Sequence, residues 1–315
     1  MTAMGTRTLR MGTRGSALAL AQSRTVAAAL RAEVELVEIA TAGDLSASAI
    51  AELGGTGVFV TALRDRLQSG QIDLAVHSYK DLPTEPMPGL VIAAVPVRED
   101  PRDVLVASSG HGLADLGTGA RVGTGAPRRM AQLRALGLGL EVVAVRGNVD
   151  TRLRKVADGE LDAVVLARAG LARLGRLGEV TQVLDPIQIL PAPAQGALAV
   201  ECRLDDTELV AMLSPLDDPD SRAAVDAERA LLAALDAGCT APVGALAEVA
   251  AGETDEDAEI YLRGSVTALD GSDSVRLSAT GPIAEAGAIG RRLAADLLAA
   301  GAHRFLNSQQ TGSTT

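Results

Sequence analysis

Apolar and polar positions along this chain follow two rhythms, and the order in which they alternate predicts an α/β fold. Leu9 to Thr13 reads as a short strand closed by Arg14-Gly15-Ser16, and Ala17 to Leu30 then has helical periodicity with Ser16 as its N-cap. Val34 to Thr41 predicts a second strand, Val58 to Gln68 a helix, Ile72 to Val76 a third strand and Leu90 to Val97 a fourth. A charged crossing, Glu99-Asp100-Pro101-Arg102-Asp103, reads as a turn between domains. The pattern then starts over, with strands at Val104 to Ala107, Arg121 to Thr124, Glu141 to Val145 and Asp162 to Leu166. Helices open at Pro127 and run from Val149 to Ala157. Ala197 to Cys202 resumes as a strand that returns the chain to its first half. An amphipathic helix over Ser221 to Leu235, strands at Tyr261 to Ala268 and Val275 to Thr280, and a helix from Ala284 to Ala300 make a small α+β unit. The expected domains are 1–98 with 200–218, 99–199, and 219–315, with swings about Val97 to Arg102 and Ala199 to Arg203 and a disordered tail from Asn307.

Three departures from the rhythm carry chemistry. The apolar run Ile72 to Val76 breaks into His77-Ser78-Tyr79-Lys80-Asp81 before Leu82-Pro83. Carboxyl ends of strands border ligand crevices in α/β sheets, so Asp81 is the first candidate for the chemistry; a plain turn cap at Ser78 to Asp81 is the competing reading. Arg14, Arg128, Arg129, Arg146, Arg152 and Arg173 all fall at strand ends or helix starts, which points to a polyanionic ligand in a crevice. Arg128 and Arg129 oppose the dipole of the helix they open, so an anion is expected between them. Finally, Cys239 sits in the glycine-flanked loop Asp236 to Pro242, a candidate covalent-attachment or catalytic thiol with no histidine in a triad-like setting. Cys202, inside an apolar run, reads as a packed core thiol. The glycine-rich stretch Leu53 to Gly57 is either a mobile flap or a plain connection.

Composition narrows the choice of partner. The 315 residues carry a formal net charge of −11 and only two Tyr and two Phe, which excludes nonspecific nucleic-acid binding and a base-stacking platform. Of the 29 basic residues only Lys80 and Lys155 are lysine. Arginine suits bidentate carboxylate recognition, while a codon bias toward Ala, Arg, Gly and Val accounts for those on the surface. Two cysteines without paired spacing give no metal cluster, and no apolar run has the length of a membrane span or the form of a signal peptide. The expected location is the cytoplasm.

The motifs Gly12-Thr13-Arg14-Gly15-Ser16, Ala75 to Pro83, Glu99 to Asp103, Arg146-Gly147-Asn148, Pro193-Ala194-Gln195-Gly196-Ala197 and Gly238-Cys239-Thr240-Ala241-Pro242 together resemble the porphobilinogen deaminase (hydroxymethylbilane synthase) family, from about Leu9 to Phe305. The resemblance implies two lobes similar to type II solute-binding proteins around a cleft, and a third domain. It implies a dipyrromethane cofactor held through a thioether on Cys239 and no metal. By the same resemblance Asp81 is the catalytic aspartate. Ser78, Lys80, Asp81, Thr124, Arg128, Arg129, Arg146 and Gly147 contact the cofactor, and Arg14, Ser16, Phe59, Arg152, Arg173 and Gln195 contact substrate. The activity implied is the condensation of four porphobilinogen units with loss of ammonia, then hydrolysis, by a monomer that hands its product to uroporphyrinogen-III synthase. Gly125 and Ala126 stand where the family often has hydroxyl residues, which predicts weaker cofactor retention, and Ala42 and Thr56 depart from basic positions near the flap. Three other readings compete: a solute-binding protein, which leaves Cys239 unexplained; a Schiff-base enzyme using Lys80, whose neighbour Asp81 favours a charged lysine; and a family member that has lost its activity.

Overall fold

The computed structural model describes residues 7–39, 57–238, 241–250, 252 and 258–306, apart from the side chains of 57–59. Up to Arg98 the elements are β1 (Leu9–Thr13), α1 (Ala17–Ala29), β2 (Val34–Glu38), α2 (Gly57–Gln68), β3 (Leu74–Ser78) and β4 (Leu90–Ala94). Next come β5 (Asp103–Ala107), β6 (Arg121–Thr124), α3 (Pro127–Ala135), β7 (Glu141–Ala144), α4 (Val149–Ala157), β8 (Ala163–Ala167), α5 (Arg168–Arg173) and β9 (Gln182–Val183). The chain ends with β10 (Leu198–Arg203), α6 (Thr207–Leu213), α7 (Pro219–Ala234), β11 (Val243–Ala250), β12 (Glu259–Thr267), β13 (Ser274–Pro282), α8 (Ala286–Ala299) and α9 (His303–Leu306). It divides into two compact units, Met1–Arg98 with Ala197–Arg222, and Glu99–Gly196 with Ala223–Thr315.

One topology is used twice. The first unit's sheet runs β2-β1-β3-β10-β4, with β1 parallel to β2 and β3, and β10 antiparallel to β3 and β4. In the second unit the order is β7-β6-β8-β5-β9, with β6 parallel to β7 and β8, and β5 antiparallel to β8 and β9. In both, the antiparallel fourth strand is the one that follows a passage of the chain from one unit to the other. The second unit also holds a separate small antiparallel sheet, β11-β12-β13, backed by α7 and α8. The fold is therefore α/β, with two like lobes and a C-terminal α+β layer.

Strand alternation sorts the core. In β3, Leu74 and Val76 pack with Val26 of α1, while Ala75 faces Leu63 and Leu67 of α2. In the second sheet, Val164 and Leu166 meet Leu153 and Val156 of α4, and Ala163 and Val165 meet Leu133 of α3. Helices thus cover both faces of each larger sheet, as strands with near-continuous apolar runs require. At the start of β3, buried Asp73 receives the Arg10 amide at 2.9 Å and the guanidinium groups of Arg10 and Arg7 at 3.0 and 2.8 Å. Burial pushes the Asp73 carboxyl up, but those hydrogen bonds outweigh it and leave its pKa well below the usual range.

Several expectations need correction. Asp103 is the first residue of a strand rather than the last residue of the charged turn. Residues 199–203 lie in a central strand bonded on both sides, and the passage between units falls before them, between Gly196 and Ala197. Val243–Ala250 is a strand that its Ala-rich composition hid, since pairing with β12 overrides a weak β-propensity. The flap residues 53–56, Ala42, Cys239 and the tail from Asn307 lie outside the described residues.

In the C-terminal layer, a Cβ built on Gly290 of α8 would stand 2.2 Å from the Ala227 carbonyl oxygen of α7, so the two helices cross in backbone contact. Gly290→Ala is expected to destabilise the protein by about 1–3 kcal/mol. An unchanged urea midpoint would show that the helices separate without penalty.

Candidate active site

In the first unit the carboxyl ends of β1 and β3 lie side by side, because the strands are parallel neighbours. Arg14 follows β1, half-buried, and Ser16 caps α1 by accepting the Ala19 amide at 3.3 Å. After β3 comes a single 3-10 turn, Tyr79–Asp81, fixed by the Tyr79 amide donating to Ala197 O at 3.0 Å. Tyr79 is buried, Lys80 half-buried and Asp81 exposed. Ser78 exchanges hydrogen bonds with buried Gln22 of α1, at 2.8 and 3.2 Å, a partner that nothing in the sequence singled out. Phe59 lies in the first turn of α2, with its side chain outside the description.

The second unit repeats the arrangement at the carboxyl ends of β6, β7 and β8. Thr124 ends β6 fully buried, its hydroxyl accepting the Ala126 amide at 3.4 Å. Arg146 follows β7 and is exposed, while Gly147 O accepts from Arg152 Nε at 2.9 Å. Asn148 caps α4 by accepting the Thr151 amide at 2.9 Å. Arg173 closes α5, Nη2 donating to Gly196 O at 2.6 Å.

Arg128 and Arg129 are not on the surface of α3: they are 3% and 4% exposed, and the anion between them is Asp103. Arg128 Nη2 donates to Asp103 Oδ2 at 2.8 Å, and Arg129 donates to Oδ1 through Nη2 at 2.7 Å and Nε at 3.0 Å. Gln195 Nε2 adds a bond to Oδ1 at 2.7 Å and another to Pro101 O at 2.7 Å. Two cations in the first turn of a helix do require an anion, and here the chain supplies it from its own Asp103. Its signal in the sequence was a carboxylate directly ahead of the apolar run Val104-Leu105-Val106. Burial pushes the Asp103 carboxyl up, yet the two guanidiniums hold it well below the usual carboxylate range.

One carboxylate does not neutralise the cluster. Burial lowers the Arg152 pKa and the like charge of Arg129 lowers it further, while burial lowers that of Arg173 against the opposing field of Glu99. Arg128 Nε is buried with no hydrogen-bond partner among the described residues. A donor set of this kind, cationic in excess and built of forked guanidiniums, fits a group bearing several carboxylates. Gly125 matters here for a reason other than a missing hydroxyl: a Cβ on it would lie 2.6 Å from Val145 O and 3.3 Å from Arg152 Nη2. A serine at 125 would displace the turn that leads to Arg146, so it does not simply add a donor.

The sequence matches the family model described as "Porphobilinogen deaminase, dipyromethane cofactor binding domain" over residues 9–211, and "Porphobilinogen deaminase, C-terminal domain" over residues 223–299. This chain belongs to the porphobilinogen deaminase family. It is 59% identical over 304 residues to the porphobilinogen deaminase of Nocardia farcinica, covering 95% of this chain and 88% of that one. With the enzyme of Mycobacterium tuberculosis it shares 58% over 305 residues, covering 95% and 98%. Among solved structures it is similar to the methionine-binding protein MetQ, at 14% identity and a TM-score of 0.41, covering 66% of this chain and 89% of that one. Membership of the family makes this an enzyme of the transferase class with dipyrromethane as its cofactor. No helix among the described residues is long and apolar enough to cross a membrane.

Asp103→Asn is expected to destabilise the protein by about 3–5 kcal/mol near neutral pH, because it strands two buried guanidiniums. With its folded pKa depressed, Asp103 contributes fully above the unfolded value of about 4 and progressively less as pH falls toward the folded one. The gap between wild type and variant in urea unfolding should therefore shrink on acidification. A gap that stays constant from about pH 7 to about pH 2 would contradict this assignment.

Proposed function

We propose that this chain joins porphobilinogen units head to tail on a dipyrromethane held through Cys239, releasing ammonia at each addition, with Asp81 as the catalytic residue. The observation that supports the arginine assignments is the excess of buried guanidinium charge around Asp103, while those of Asp81 and Cys239 rest on the family motif. Porphobilinogen and its oligomers bear two carboxylates per pyrrole, and in this reading Arg128, Arg129, Arg146, Arg152 and Arg173 take them, as do Arg14 and Ser16 at the start of α1. When bound, dipyrromethane supplies the pyrrole carbon to which the first unit is joined.

Asp81 has two tasks. Departure of ammonia leaves a cation on the incoming pyrrole unit, which the carboxylate stabilises next to the pyrrole N–H. Formation of the new carbon–carbon bond then requires loss of a proton from the pyrrole carbon attacked, and the same carboxylate serves as its acceptor. Lys80, beside it, offers a positive charge to a substrate carboxylate. Ser78 and Thr124 add hydroxyl groups, the backbone of Gly147 a close approach, and Gln195 and Phe59 flank the substrate. After four additions, hydrolysis frees hydroxymethylbilane. The enzyme works as a monomer in the cytoplasm and passes its product to uroporphyrinogen-III synthase. Three domains serve the reaction: 1–98 with 200–218, 99–199, and 219–315.

Two measurements test this. The intact mass of the denatured protein should exceed that of the chain by two linked pyrroles, confined to the Cys239 peptide and lost in Cys239→Ser; a chain mass unchanged by added porphobilinogen would refute the reading. Asp81→Ala should lower kcat by roughly two to three orders of magnitude while moving KM far less, the pattern of an interaction made in the transition state. A KM effect alone would reassign Asp81 to binding.

A further inference from the structure

A second buried charge cluster, in the first unit, has no part in the chemistry described above. Glu201 is 2% exposed on the central strand β10, where it pairs with Ala75 of β3. Arg64 of α2, itself buried, grips it with Nε at 3.0 and 3.2 Å from its two oxygens and Nη2 at 2.8 Å. His77 Nε2 lies 3.1 Å from Oε2. A carboxylate held by a guanidinium and an imidazole is a costly thing to bury, and three apolar residues would fill the space with no such penalty.

Its position suggests what it is for. His77 and Ser78 are consecutive in β3 and therefore point to opposite faces of the sheet. Ser78 is held on the α1 face by Gln22, and His77 on the α2 face by Glu201. The turn Tyr79–Asp81 begins at the next residue. We propose that Glu201 is a positioning residue: through His77 it fixes the end of β3 from which Asp81 projects, and through Arg64 it locks α2 to that same point. This rests on the reading of Asp81 given above. Displacement of a reacting group by about 1 Å can reduce rate on the order of 100-fold, so a loose end to β3 would be felt in kcat.

The test compares Glu201→Gln, His77→Leu, His77→Gln and Asp81→Ala, each as cofactor-loaded protein verified by mass and assayed well below its melting temperature. Glu201→Gln and His77→Leu should lower kcat about 10-fold or more with KM nearly unchanged. His77→Gln, which keeps a donor near the Nε2 position, should recover to within about threefold of wild type. His77→Leu leaves the Arg64–Glu201 pair intact, so it decides the matter if Glu201→Gln does not fold. Near-normal kcat in His77→Leu, or equal losses in His77→Leu and His77→Gln, would overturn the inference while Asp81→Ala remained inactive. An active Asp81→Ala would instead remove the reading on which it rests.

Discussion

The second unit is organised by a single buried carboxylate. Asp103 binds two guanidiniums and one carboxamide, drawn from two distant parts of the chain: Arg128 and Arg129 from the start of α3, Gln195 from the loop that precedes β10. Charges of that kind cannot be buried singly, because the desolvation of each exceeds what any one contact returns. They are tolerated as a set because the carboxylate is matched by two guanidiniums and a carboxamide together. The carboxylate also keeps two arginines in one place although their positions in the first turn of α3 oppose its dipole. What remains after Asp103 is matched is positive charge, preorganised and partly desolvated, which is the state in which it binds carboxylates best.

Elsewhere the same device recurs with a structural emphasis. Asp73 ties the starts of β1 and β3 through Arg7 and Arg10, and Glu201 joins β10 to α2 and β3. On another scale, Glu228 of α7 is fully buried and accepts the amides of Ala194 at 2.5 Å and Ala247 at 2.8 Å. Ala194 has φ +61, a left-handed conformation that costs a non-glycine residue about 1–2 kcal/mol and persists only where neighbours impose it. Gln195 is the next residue, so the strain sits at the approach to the Asp103 cluster.

Legibility followed physical locality. Helix starts and strand ends were readable because caps, apolar periodicity and the prolines that open helices are short-range features: Arg121–Thr124 and Val149–Ala157 have the expected limits, and Ser16 is the cap it promised to be. Arg14, Arg128, Arg129, Arg146, Arg152 and Arg173 were also visible, as cations at topologically equivalent places. Less visible were their partners. Asp103, Glu201 and Gln22 act over separations of dozens of residues or more, and no periodicity encodes that. The available sign was weaker: a lone carboxylate within or at the head of a wholly apolar run, as at Asp73, Asp103 and Glu201, must find a cation once the strand is buried. Cys239 stands out in the sequence by its glycine-flanked loop but lies outside the described residues, so its proposed role rests on the family motif.

The place of β10 has a consequence for the growing chain. β10 lies between β3 and β4, yet about 120 residues separate it from β3, all of which must leave the ribosome before the first sheet can be completed. Until Arg203 has emerged, β3 and β4 each present an unpaired edge to the cell. The second sheet has no such delay, since its strands all fall between Asp103 and Val183. Synthesis from the N-terminus therefore delivers the complete strand set of the later lobe before that of the earlier one.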